Sequence, residues 1–156
     1  MRKLLLLLPL LGFTLHSCDK GRLFEENKEI PNGVWKQNMP LQFEADIKDT
    51  TGLYNVFINV RNAGDYGFSN LFLFIKTKLP KGQQMADTME CTLANAEGKW
   101  LGSGIGDIYD NQILFKRNVR FPQAGKYTFV LEQAMRIDPL PMIKDAGIRI
   151  EKASAQ

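Results

Sequence analysis

Histidine is almost missing from this chain of 156 residues, and the single one, His16, lies in the apolar N-terminus. Downstream of that segment there is no imidazole to serve a Ser-His-Asp or Cys-His catalytic set, and none to ligate zinc. No Gly-x-x-x-x-Gly-Lys-[Ser/Thr] loop is present, which excludes a P-loop nucleotide motor. Cysteine is scarce too, limited to Cys18 and Cys91. Lys and Arg form no cluster dense enough for a nucleic-acid footprint. No stretch longer than about eight residues carries helical periodicity. After the N-terminus no apolar run approaches the ~20 residues of a membrane span.

What the N-terminus does contain is specific. Arg2 and Lys3 precede an almost unbroken apolar run from Leu4 to Leu15, which is too short to cross a bilayer. The run closes on Leu15-His16-Ser17-Cys18, with a small residue directly before a cysteine. That ending resembles a bacterial lipobox, although His16 replaces the usual small residue. The resemblance implies cleavage after residue 17 and a lipid on the sulfur of Cys18. The chain is therefore expected to leave the cytoplasm and to stay tethered to a membrane. The formal charge of +3 includes Arg2 and Lys3, so the mature protein would carry +1. With Cys18 lipidated, Cys91 has no disulfide partner. It alternates with Met89 and Leu93 on one face of a strand, where a free cysteine acts as a small hydrophobe.

Three regions are predicted: a signal peptide over 1–17, a flexible linker over 18–29 and a single folded domain over 30–156. Asp19 to Glu29 is mostly charged and offers little but Leu23-Phe24 to bury. From Ile30 onward the pattern is that of strands. Leu41 to Lys48 alternates with its odd positions inward, and Tyr54, Val56, Ile58 and Val60 share the next inward face. Leu71 to Leu79 begins apolar on both faces, which predicts a central strand covered on both sides. Further strands follow over Thr88 to Leu93, Ile113 to Phe121 and Lys126 to Ile137. The last runs from Gly147 to Lys152. Turn signals about every 10 residues predict an all-β fold, an antiparallel β-sandwich of jelly-roll type.

Candidate sites are few. Gly102 to Asn111 is glycine-rich and carries Asp107 and Asp110. These are candidate calcium ligands, but the segment lacks EF-hand spacing and its later Glu. The structural alternative has the glycines turning the chain and Asp107 capping a helical turn. Trp35, Trp100, Tyr54, Tyr66 and Tyr109, with Asn55, Asn62 and Asn70, are residue types that stack on and hydrogen-bond to sugars. They define a second function class, a lipid-anchored glycan-binding module; large aromatics are equally the material of a small β core. Tyr66 and Phe68, in the turn-rich stretch Asn62 to Asn70, are the candidates for an exposed interaction surface; the structural alternative has Phe68 plugging the end of the sandwich. No cofactor is indicated.

Several segments in fixed order carry a resemblance: Ile30 to Trp35, Asn59 to Asn62, Tyr66 to Ile75, Trp100 to Ile108, Val119 to Phe129, Gln133 to Arg136 and Ile143 to Lys152. Together with the lipobox they resemble the gliding motility lipoprotein GldH family over essentially the whole chain. The resemblance implies a non-enzymatic lipoprotein of the cell envelope, most naturally in the outer membrane. Its implied partners are the proteins of the gliding machinery, which also supports protein secretion. Members occur in bacteria that do not glide, and no catalytic residue is implied.

Overall fold

The alternation seen in the sequence becomes ten strands. The computed structural model of the protein describes residues 21–153. Within them lie β1 (Arg22–Glu29), β2 (Val34–Trp35), β3 (Leu41–Ile47), β4 (Tyr54–Ala63), β5 (Asn70–Lys78), β6 (Gln84–Thr92), β7 (Ile108–Val119), β8 (Gly125–Gln133), β9 (Leu140–Pro141) and β10 (Ile143–Lys152). The only helical element among the described residues is a 3-10 turn over Pro31–Gly33.

The strands pair antiparallel in nested order: β1 with β10, β2 with β9, β3 with β8, β4 with β7 and β5 with β6. The chain is thus one long hairpin whose tip is the β5–β6 turn. Rolling it up brings β10 beside β4 and β8 beside β5. Two four-stranded sheets result, β1-β10-β4-β7 and β3-β8-β5-β6. This is the jelly-roll winding of a β-sandwich. The inward faces are those the alternation predicts: Phe43, Ala45 and Ile47 from β3, Val56, Ile58 and Val60 from β4, and Tyr127, Phe129 and Leu131 from β8 are all buried.

Three expectations fail. Residues 22–29 are not linker but β1, an edge strand paired through seven residues with β10. Its order comes from across the sheet. The Glu25 carboxylate accepts from Arg149 at 2.9 Å and from the Asn59 amide at 3.0 Å, while Phe24 packs on the core. The folded unit accordingly begins before Ile30. Second, β5 lies inside its sheet, yet only one of its faces is covered. Leu71, Leu73 and Ile75 are buried, whereas Phe72 and Phe74 are 36% and 48% exposed on the outer face. Third, Asp107 caps no helix, for it lies in the turn that leads into β7.

The two ends of the sandwich differ. At one end the chain enters at Gly21, whose carbonyl accepts from Lys152 N at 2.8 Å. The connections 48–53, 79–83 and 120–124 lie at that same end, because Tyr54, Val119, Ile47, Gly125 and Lys78 close the strands there. The opposite end carries the longer connections, including 64–69 and 93–107.

Candidate functional site

Aromatic residues gather at the end away from Gly21, but as packing rather than as a platform. Trp35 is fully buried and donates its indole N–H to the Met39 carbonyl at 2.9 Å. Tyr54 is buried at the other end and donates its hydroxyl to the Asp49 carbonyl at 3.3 Å. Tyr66, expected at the surface, is only 4% exposed. Its ring contacts Phe68 edge-on at 5.6 Å between centroids and Trp100 at 6.4 Å, and its hydroxyl donates to the Asn70 carbonyl at 2.9 Å. That bond satisfies the polar tip and lets the ring turn inward, which explains the departure from expectation. Trp100 is partly buried and stacks at a tilt on Tyr109 at 5.6 Å. Trp35 and Tyr66 are core, the first of the two readings their residue types allow, and they are withdrawn from the alternative of a sugar-stacking surface. Of the three asparagines, Asn62 is buried, while Asn55 and Asn70 serve the backbone and Glu90 through their side chains.

Phe68 is the part of the expected surface that remains. It is half-buried and lines a mainly apolar hollow of about 300 Å³ with Phe72, Ala134, Met135, Arg136 and Ile137. Phe74 follows Phe72 along the same outer face of β5, and Ile137 is 47% exposed. Phe68, Phe72, Phe74 and Ile137 therefore form an exposed apolar face that runs from the end opposite Gly21 to the middle of β5. Contiguous apolar surface of this kind marks interaction sites on soluble domains. A rim of charge surrounds it: Lys76 bonds Glu132 at 2.7 Å, and Asn70 bonds Glu90 at 2.6 Å. The alternation of β5 held the signal for Phe72 and Phe74, but an aromatic facing solvent and one facing a second layer look alike in sequence.

The outer face of the other sheet is polar. Arg61 on β4 forms ion pairs with Asp110 on β7 and, at 3.1 Å, with Asp145 on β10. Burial pushes the Asp145 carboxyl above its usual range, against the pull of the Arg61 guanidinium. Beside them Asn59 donates to Glu25 and Asn27, and its own Oδ1 is buried without a hydrogen-bond partner. The two candidate calcium ligands are not brought together as a site. Asp110 is engaged by Arg61, and the Asp107 carbonyl accepts from Gly64 N at 2.7 Å. The glycine-rich loop has a steric role, since a side chain at Gly104 would collide with the Ile108 carbonyl. Cys91 is free and buried, and burial first, then the Glu90 charge, pushes its thiol up to about 12. Such a thiol is no nucleophile at neutral pH. Cys18 lies outside the described residues.

The family model of the GldH lipoprotein matches residues 22–150, the whole sandwich from β1 to β10. The chain belongs to the GldH lipoprotein family. It is 41% identical over 144 residues to a "Gliding motility lipoprotein GldH homolog" of Christiangramia forsetii, covering 88% of each chain. It is 35% identical over 153 residues to the "Gliding motility lipoprotein GldH" of Flavobacterium johnsoniae, covering 94% of each. Membership makes it a lipid-anchored protein of the cell envelope. Among solved structures, a carbohydrate-binding module in complex with β-1,4-galactotriose aligns at TM-score 0.32 and 15% identity over 87% of this chain and 92% of that one, a likeness too loose to carry an argument.

Proposed function

We propose that this protein is a non-enzymatic, outer-membrane lipoprotein of the gliding apparatus and its associated secretion system, which holds a protein partner on the Phe68–Phe72–Phe74 face. The observation that carries the reading is the position of that face, which begins at the end of the sandwich opposite Gly21 and reaches the middle of β5. Anchoring through Cys18, three residues before Gly21, sets the entry end against the membrane and turns the apolar face away from it. Family membership and the printed names of both relatives support the gliding role.

The test is recovery of envelope proteins with the lipidated chain from its own cells. Phe72→Ser with Phe74→Ser alters side chains that are already exposed, so the fold and the membrane fraction should be unchanged. Loss of one aromatic anchor costs ~2 kcal/mol or more of binding, about thirtyfold in affinity. Partner recovery, and spreading where the cells glide, should therefore collapse. A folded double variant that keeps every partner removes this face. Cys18→Ala tests the anchor separately, and the variant should leave the membrane without detergent. If it stays bound and normally processed, the lipobox reading is wrong.

A further inference from the structure

The sandwich is open along one side. β6 and β7 are the free edges of opposite sheets and do not pair with each other. Inward positions on β6 run from Cys91, which is sealed, through Met89 and Asp87 to Met85, which is 55% exposed. The two sheets thus part progressively toward the end where the chain enters. β7 bulges over the same stretch. Val119 lies opposite Tyr54 and Lys116 opposite Val56, so the intervening residues of β7 outnumber those of β4. The result is a cleft of about 350 Å³ reaching the core, lined by Val56, Leu79, Phe115, Val119, Phe121 and Phe129.

Its mouth is cationic. Lys116 Nζ reaches across the opening to Asp87 at 2.8 Å and lies 4.7 Å from the Phe115 ring centroid. Arg120 lines the rim. Lys48, Lys78, Lys81 and Arg117 lie around the same end of the molecule. The volume is that of a small-ligand site, and an apolar bore with a few polar groups at one end is the usual chemistry of such sites. The bore calls for a hydrocarbon body and the mouth for an anionic head. Supply is at hand, since Cys18 lies three residues from Gly21, about 10 Å of extended chain. From β1 to β7 the sheet spans three strand spacings, about 14 Å.

We propose that this cleft is a lipid-binding site that takes one acyl chain of an anionic phospholipid from the membrane beneath the protein, with Lys116 and Arg120 facing the headgroup. Asp87 then acts as a latch, holding Lys116 over the bore until a headgroup replaces it. Access to the bilayer rests on the anchoring through Cys18 argued above.

The lipidated full chain, reconstituted in phosphatidylcholine vesicles, tests this directly. The vesicles carry a trace of either phosphatidylglycerol or phosphatidylcholine with a photoreactive group in one acyl chain. After illumination, adducts should map to residues 115–121 and 79–85. They should form about tenfold more with the phosphatidylglycerol probe, as befits two cations at the surface. Met85→Trp plugs the mouth from a half-exposed position and should abolish these adducts at unchanged melting temperature. Lys116→Gln with Arg120→Gln should keep the adducts and lose the headgroup preference. Labelling spread over the outer face of β5, equal labelling by both probes, or adducts indifferent to Met85→Trp would each overturn the proposal. Should Met85→Trp unfold the chain, the charge variant decides alone. Flotation of the vesicles reports on the anchor independently. If the chain does not float, anchoring falls, and the cleft is judged by the same adducts from photoreactive lysophosphatidylglycerol added in solution.

Discussion

Gly147→Ala should detach β1 and leave the remaining sandwich standing. Gly147 lies in the middle of β10, opposite Asn27 on β1 and Asn59 on β4. A methyl group there would collide with the Asn27 side-chain oxygen and with the Glu26 carbonyl. The Asn27 side chain can swing away, but the Glu26 carbonyl is backbone and moves only if β1 moves. Overpacking of this kind costs ~1–3 kcal/mol. Displacing Asn27 and Glu25 also breaks the two hydrogen bonds from the Asn59 amide, ~1 kcal/mol each. Against that, replacing glycine lowers the entropy of the unfolded chain by up to ~1 kcal/mol. The balance is a loss of about 2–4 kcal/mol.

For a domain of this size each kcal/mol shifts Tm by roughly 4 °C, so calorimetry should show a fall of about 8–16 °C. Hydrogen exchange gives the location. Amides of Phe24 to Lys28 should exchange quickly while β3 and β8 stay protected, because β1 is an edge bound only to β10. Gly67→Ala is the control, since nothing lies within 4 Å of a side chain there. A Gly147→Ala melt within a degree of wild type, with β1 still protected, would refute the reasoning and return residues 22–29 to the status of a dispensable leader.

Three other perturbations test the electrostatics and the core. Arg61→Gln removes the cation that offsets the burial of Asp145, at a cost of about 1 kcal/mol near neutral pH, between surface-pair and buried-pair values. The Asp145 carboxyl already sits above its usual range, and in the variant it rises further. Folding then takes up a proton as pH falls through that raised value, so the deficit in urea melts should shrink toward pH 4; a deficit independent of pH would refute the pairing. Asp49 has the opposite sign. Its carboxylate accepts from the Thr51 hydroxyl and from Thr51 N and Gly52 N, which holds it well below the usual range. The stability lost in Asp49→Ala should therefore be full above pH 4 and fade below it, and a gap that widens in acid would contradict the turn. Finally, the Cys91 thiol should resist maleimide in the native protein and react at once in denaturant, whereas rapid native labelling would place it outside the core.

How much of this was legible depends on where the ordering force comes from. Alternation gave the inward faces of β3, β4 and β8 because each such strand has one wet and one dry side, a purely local signature. The nested order of pairing has no local signature, since any of these strands could pair with several others. β1 was missed for the same reason. Its composition is that of a solvated leader, and what orders it is Arg149, 124 residues further along. Tyr66 was misplaced because a turn-rich stretch predicts exposure. Nothing in the segment announces that Trp100, from another connection, roofs its ring. Phe68 kept part of its expected exposure, and Phe72 and Phe74 joined it only once the structure showed β5 bare on its outer side.

The sandwich thus separates two kinds of apolar surface. The exposed aromatic face lies on the outer side of β5 at Phe72 and Phe74, and the cationic cleft opens on the inner side, where Thr77 and, opposite Ile75, Asp87 line it. Surfaces that share no side chain and lie on opposite faces of a sheet contribute additively unless something couples them. Combining Met85→Trp with Phe72→Ser and Phe74→Ser therefore distinguishes two modes of action. Additive losses mean that the cleft only seats the protein on its membrane while the outer face holds the partner. If plugging the cleft alone already weakens partner recovery at constant membrane content, the rigid sandwich is transmitting occupancy from one face to the other. Additivity is expected, because the layer between the two surfaces is closely packed and offers no second arrangement for a ligand to select.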